Sequence, residues 1–236
     1  MQTIESNSGD LELRLVIRQA TTQIPSDEQR CEELWRFAKL LESVGLNMGQ
    51  WFVNGDPTRP AFNSTSPTPA LIESAKGGTD SPIQFAGVWN GMEGKGAAGF
   101  MSKYRMKRRS GFDFRAVGIN GLNAYHRVAD LVAGALDIWS SPLVEVAPYA
   151  YSTEKVFADR PGVGWMLYLP HALTPVQVPE ARALIPVMRN GQQQGTLIVS
   201  VTDEVFDANN PAHVKVANDI EIRLADEDLL PRFVDL

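Results

Sequence analysis

Three strand-like runs, 83–89, 97–104 and 112–119, follow one another with nothing helical between them. Asn90-Gly91 and Ser110-Gly111, dipeptides of hairpin type, separate them. Strands joined so closely pair antiparallel, because a parallel pair needs a crossover of a dozen or more residues. Four further runs, 144–151, 164–169, 184–188 and 196–201, are joined by Gly and Pro, and Asn190-Gly191 marks another turn. This succession argues against a doubly wound parallel sheet. It predicts an α+β fold in which a mainly antiparallel sheet packs against about three principal helices.

The first helix is announced by Pro25-Ser26-Asp27-Glu28-Gln29, a capping box with Ser26 as N-cap and Gln29 three residues on. Leu34, Phe37, Ala38, Leu41 and Val44 then recur at helical spacing, and Gly45 closes the helix. A second helix covers about 123–139, with Tyr125, Val128, Ala129, Val132, Leu136 and Trp139 on one face. The last opens at Asn210, an N-cap, with Pro211 in its first position, and runs to about 225. A shorter helix over 68–76 is stopped by Gly77-Gly78. Near the N-terminus Leu11, Leu13, Leu15 and Ile17 alternate with Glu12, Arg14 and Val16, a strand with one wet face. Residues 50–53 form a short strand, and 57–69, with four prolines, a long loop. The 236 residues read as one domain, with an internal division near 140 as the place where it could part.

Hydrophobic residues at 44% are enough for a core. The net charge of −6 argues against a general nucleic-acid binder and suits basic partners. The one cysteine, Cys31, rules out an intrachain disulfide and a four-Cys zinc site, which fits a reducing compartment. Residues 1–7 lack the basic and apolar regions of a signal peptide, and no apolar run approaches the ~18 residues of a membrane span. The expected location is the cytoplasm.

Each motif that could carry chemistry has a plainer reading beside it. Gly94-Lys95-Gly96-Ala97-Ala98-Gly99 spells G-x-G-x-x-G, the fingerprint of a loop that brings backbone N–H groups to a pyrophosphate. Four residues separate it from the preceding strand, however, and 100–109 is poorly amphipathic as a helix. A Gly-rich hairpin turn is the better reading, and the alternative is a small-molecule enzyme or nucleotide-binding protein using this loop. Lys103, Arg105, Lys107, Arg108, Arg109 and Arg115 form a basic cluster interleaved with Tyr104, Phe112 and Phe114. It reads either as a phosphate contact or as a solvated strand–turn face. His126, His171 and His213 show no metal-binding spacing, and His213 sits in a first helical turn, where the dipole disfavours its charged form. Cys31 lies on the apolar face of the first helix and reads as core. No catalytic residue, cofactor site or metal site emerges. Of Trp35, Trp51, Trp89, Trp139 and Trp165, most read as core, with one or two left as interface anchors.

The opposite charge gathers at the C-terminal end, where residues 203–228 hold eight acids against Lys215 and Arg223. Such a cluster can steer a basic partner, or simply solvate a helix face. Asp219, Glu221, Asp226, Glu227 and Asp228 are the candidate partner-binding residues.

The early alternating strand, the capped helix, Gly49-Gln50-Trp51-Phe52-Val53-Asn54-Gly55-Asp56 and the later Val88-Trp89-Asn90-Gly91 together resemble the immunity protein 52 family of bacterial polymorphic-toxin systems. The resemblance is clearest over 10–115. Trp51, Gly55 and Trp89 are its matching positions and read as fold residues. It implies a cytoplasmic antitoxin, not an enzyme. Such a protein binds a secreted toxin, typically a nuclease with a restriction-endonuclease-like core exported by type VI secretion, and covers or distorts its active site.

Overall fold

The computed structural model describes residues 10–17 (main chain), 24–77, 81–106 and 108–236. The one wet face expected of 11–17, the residues before Asp10, Gly78 as a helix stop and Lys107 lie outside the described residues.

The strands are β1 (Asp10–Ile17), β2 (Phe52–Val53), β3 (Ile83–Trp89), β4 (Ala98–Arg105), β5 (Ser110–Val117), β6 (Leu143–Ala147), β7 (Met166–Leu169), β8 (Ala183–Arg189) and β9 (Gln192–Val199). They form one sheet in the order β2-β3-β4-β5-β1-β6-β7-β9-β8, and every neighbouring pair is antiparallel. The N-terminal strand β1 lies in the middle, between β5 and β6. The sheet therefore runs unbroken across residue 140. The fold is α+β, with a sheet and helices α1 (Asp27–Leu41), α2 (Pro69–Ala75), α3 (Tyr125–Ile138) and α4 (Pro211–Asp226).

Local chemistry sets the boundaries. Ser26 and Gln29 make both bonds of the capping box at the start of α1. Asn210 accepts from Ala212 N, and Pro211 opens α4 with no donor to lose. Asn190 and Gly191 both take positive φ, 51° and 75°, which matches the β8–β9 hairpin to strand twist. Two boundaries differ from the sequence reading. Ser110-Gly111 belongs to β5, and the β4–β5 connection falls before it, between Arg105 and Ser110. The Ser110 hydroxyl accepts from Arg105 N at 3.1 Å and so closes that connection. The strand expected at 144–151 ends at Ala147, because Pro148 leads into a 3₁₀ turn at Tyr149–Thr153.

One face of the sheet packs against α1 and α3. Phe37 of α1 sits edge-on to Phe100, Phe112 and Phe114, with ring centroids 5.2, 4.6 and 5.5 Å apart. Trp139, just past α3, stacks on Phe112 at 4.1 Å. Buried Arg30 ties α1 to the end of α2 by donating to Ala75 O at 2.9 Å, which satisfies a helix-terminal carbonyl.

The opposite face is covered over only part of its width. All four residues of β7 are buried, so the sheet is sandwiched there. On β6, Glu145 alternates with buried Val144 and Val146 and accepts from Gly162 N at 3.0 Å. The segment around 148–165 thus lies over that face, and α4 docks onto the segment. In β4 and β5 burial alternates strictly: Phe100, Ser102, Tyr104, Phe112 and Phe114 are buried while Met101 and Arg115 are exposed. There the opposite face is open.

Candidate protein-binding surfaces

The motifs that hinted at chemistry resolve into structure. Residues 94–97 lie in the β3–β4 connection, and Ala98 and Gly99 open strand β4, so the loop presents no helix N-terminus to a phosphate. Asn90 organises the connection: its amide donates to Gly96 O at 2.7 Å and accepts from Met92 N and Ala98 N. The hairpin reading therefore stands. Cys31 is fully buried, and burial pushes its thiol up to about 12, far from thiolate chemistry at neutral pH. His126 and His171 are exposed. His213 is buried. Its Nδ1 accepts from Asp207 N at 3.0 Å, which places the ring proton on Nε2, 2.9 Å from Glu204. Among the described residues no group of three or more His, Cys, Asp or Glu is arranged to hold a metal ion, and no helix is long and apolar enough to cross a membrane.

The acidic C-terminal end divides in two. Asp226, Glu227 and Asp228 are exposed at the last turn of α4. They sit at the negative end of a helix dipole, where cations are favoured, so the fold itself gains little from them. Asp219 is half-buried and bonded to Lys215 at 2.5 Å, one turn away. Glu221 does not belong with them, and its expected role as a contact residue is corrected here. It is 0% exposed, and both of its oxygens are occupied. One accepts from Tyr151 OH at 2.6 Å and Val163 N at 2.8 Å, the other from Val156 N at 2.8 Å. Glu221 thus fastens α4 to the covering segment, and a partner could reach it only by opening the fold. Burial raises its pKa against the pull of these three donors. Arg223 is paired as well: its guanidinium grips Glu180 at 2.9 and 3.1 Å and holds that carboxyl below its usual range. Helical spacing alone places Glu221 among the acids. Its burial depends on which side of α4 meets residues 151–163.

The second surface is the open face of β3–β5, which sequence reading did not single out. Phe85 is 58% exposed, Met101 40% and Trp89 37%. Gly87 faces Met101 across β3–β4, Trp89 faces Gly99, and Gly99 faces Arg115 across β4–β5. The two glycines contribute no side chain, so they form the floor of a depression of about 790 Å³ that Phe85, Trp89, Met101 and Arg115 line. Lys103 faces Phe85, and Arg105 faces exposed Ile83. Of the basic cluster, Arg115 lines this trough, and Lys103 and Arg105 border it along β4. Arg115 leads out of it, lying 5.9 Å from the exposed ring of Tyr149.

The three positions that carried the family resemblance meet at this edge. Trp51 is fully buried, 4.7 Å edge-on to Phe100. Gly55 has φ 70°, and a Cβ there would lie 2.2 Å from the Trp89 ring. Trp89 thus packs on the Gly55 main chain with one side and borders the trough with the other. Of the five tryptophans, Trp51, Trp139 and Trp165 are core, and Trp35 and Trp89 keep exposed surface.

Comparison with known proteins agrees with the resemblance. Residues 139–232 match the family model described as Immunity protein 52. The match covers α4 and strands β6 to β9, whereas the motifs that first suggested the family lie within 10–115. An immunity-type protein is thus the reading that this stretch supports. None of the curated proteins matches the chain. Among solved structures, one described as "Pseudomonas aeruginosa T6SS protein PA0821" is similar, with a TM-score of 0.54 and 13% sequence identity. The alignment covers 90% of this chain and 73% of that one. At that identity the likeness is one of fold, and it extends across both halves of the sheet.

Proposed function

We propose that this chain is an immunity protein that binds a cognate secreted toxin in the producing cell's cytoplasm and neutralises it. The observation that carries this reading is the Immunity protein 52 match over residues 139–232. The description of the structural neighbour as a T6SS protein supports placing the toxin among type VI secretion effectors. A nuclease with a restriction-endonuclease fold is the toxin class we favour, and blocking or distorting its active site is the mechanism. The acidic end supports this, because a nuclease presents a basic substrate surface that exposed carboxylates attract over a distance. Asp226, Glu227 and Asp228 supply that field, with Asp219 at its margin.

Co-expression with the toxin encoded beside it tests the reading. The chain should restore growth and protect cellular DNA from degradation. Continued killing in the presence of soluble protein would refute it. Changing Asp226, Glu227 and Asp228 together to Lys should slow association several-fold, most strongly at low salt. An unchanged on-rate would remove the acidic end from the mechanism and leave the function standing.

A further inference from the structure

The sheet presents a long, half-covered face. Over β6–β9 it is closed by the 148–165 segment and α4, and over β3–β5 it is open. The open part is not a normal solvated surface. Ile83, Phe85, Trp89, Met92, Met101 and Met106 are all exposed large apolar side chains, and all belong to β3, β4 or the connections at their ends. Isolated exposed apolar residues are ordinary, but Phe85, Trp89 and Met101 line one concave floor, and such a group marks an interaction site. Three of the six are methionines, whose flexible thioethers adapt to a partner's shape.

The charge around the trough identifies its occupant. Residues 83–117 carry seven bases and two acids in a chain whose net charge is −6. Lys103, Arg105, Arg108 and Arg109 make no ion pair among the described residues. A depression walled by Phe85, Trp89 and Met101, with Lys103 and Arg105 free of ion pairs beside it, fits a protein knob whose tip is apolar and whose flanks carry carboxylates. Nucleic acid would satisfy the cations but not the methionine and phenylalanine walls.

We infer that the open β3–β5 face is a docking surface for the toxin, receiving an apolar protrusion flanked by acidic residues between Phe85, Trp89 and Met101, with Lys103 and Arg105 pairing the flanking carboxylates. The inference rests on the immunity reading above and adds a contact of opposite polarity to the acidic end of α4. Arg115, at the edge of the trough, lies 5.9 Å from the ring of Tyr149, which also borders a small pocket with Lys155 and with Phe233 of the C-terminal segment. The toxin therefore meets a surface that is basic and apolar over β3–β5 and acidic at the end of α4.

The experiment uses the full chain and the toxin domain encoded beside it, purified with its catalytic residue disabled. Affinity is measured for the wild type, for Phe85→Glu combined with Met101→Glu, for Lys103→Glu combined with Arg105→Glu, and for Val176→Glu as a control on a distant exposed residue. Losing apolar anchors at the centre of an interface should weaken binding about 30-fold or more, mainly through faster dissociation. The charge pair should slow association at low salt, and the control should match wild type. Binding should also change the fluorescence of Trp89. Because the charge pair alters only half-buried surface side chains that make no ion pair among the described residues, it keeps the test decisive even if the apolar pair fails to fold.

If the wild type does not bind the toxin, the immunity reading fails. If the wild type binds and both paired variants bind equally well, the docking surface is wrong and the immunity reading survives. A concentration-dependent dimer abolished by Phe85→Glu and Met101→Glu with toxin binding intact would assign the trough to a second copy. Salt-sensitive DNA binding lost only in Lys103→Glu with Arg105→Glu would assign it to nucleic acid. Either result overturns the proposal.

Discussion

Replacing Glu221 with Gln preserves shape and removes one acceptor, which makes the cost calculable from the hydrogen bonds. The oxygen that accepts from both Tyr151 and Val163 must remain an oxygen, so the new amide nitrogen takes the place of the one that accepts from Val156 N. A donor then meets a donor inside the fold, and both go unsatisfied. Each such buried group costs about 1–3 kcal/mol, so the two together should cost the variant about 2–6 kcal/mol when the wild-type carboxyl is protonated, since a carboxylic hydroxyl still has lone pairs to offer Val156.

The pH dependence follows from linkage. Burial raises the Glu221 pKa above its ordinary value of 4.5, so the fold favours the protonated form. Its contribution is therefore full below the unfolded pKa and declines as pH rises through the higher folded one. Glutamine does not titrate. The wild-type advantage should be largest at the acidic end and shrink towards pH 8. In a chain of this length about 1 kcal/mol corresponds to about 2–4 °C, so the expected loss is about 4–24 °C at the acidic end, below the unfolded pKa. Thermal melts followed by circular dichroism at pH 4 and 8 measure both quantities. A variant that melts with wild type at pH 4, or a gap that widens with pH, would refute the reasoning.

Glu33→Gln is the contrasting case, because a single oxygen of Glu33 accepts from both Tyr104 OH and Trp139 Nε1, at 2.5 and 3.0 Å, and an amide oxygen can do the same. Burial raises the Glu33 pKa too, so Gln should be neutral or stabilising, and any gain in melting temperature should grow with pH. Gly55→Ala forces a Cβ into the Trp89 ring at a positive φ and should cost about 1–3 kcal/mol. Its melt should fall and its tryptophan emission shift, and unchanged emission would show that Trp89 does not lean on Gly55. Cys31 should resist a disulfide reagent at pH 8 in the native protein and react only as fast as the chain unfolds, because its thiol is buried and pushed up to about 12. Rapid native labelling would contradict the packing of α1.

Much of the architecture was legible from local signals. The capping box at Ser26, the Asn210-Pro211 start and the Asn190-Gly191 turn act over three or four residues, so their outcome is contained in the text of the chain. The connection between Arg105 and Ser110 was missed because Met106, Arg108 and Arg109 have no special turn chemistry, while Ser110-Gly111 does and yet is strand. The site was less legible. Strand β3 reads Ile-Gln-Phe-Ala-Gly-Val-Trp, apolar on both faces, so alternation could not say that Ala86 and Val88 face the core and Phe85 and Trp89 the outside.

The sequence by itself determined the class of the molecule. Consecutive strands with hairpin turns, capped amphipathic helices and a lone cysteine on an apolar helix face each follow from interactions between near neighbours, and they lead to an antiparallel α+β fold. Tertiary structure alone decided which side chains are available to a partner. It buried Glu221 beneath three hydrogen bonds while leaving Asp226 to Asp228 in water, and it covered one end of the sheet with α4 while leaving the other bare. The physical reason is that exposure is set by what packs from far along the chain. Residues 151–163 come to α4, and nothing among the described residues comes to the open face of β3–β5, so no local pattern of charge or polarity can encode it.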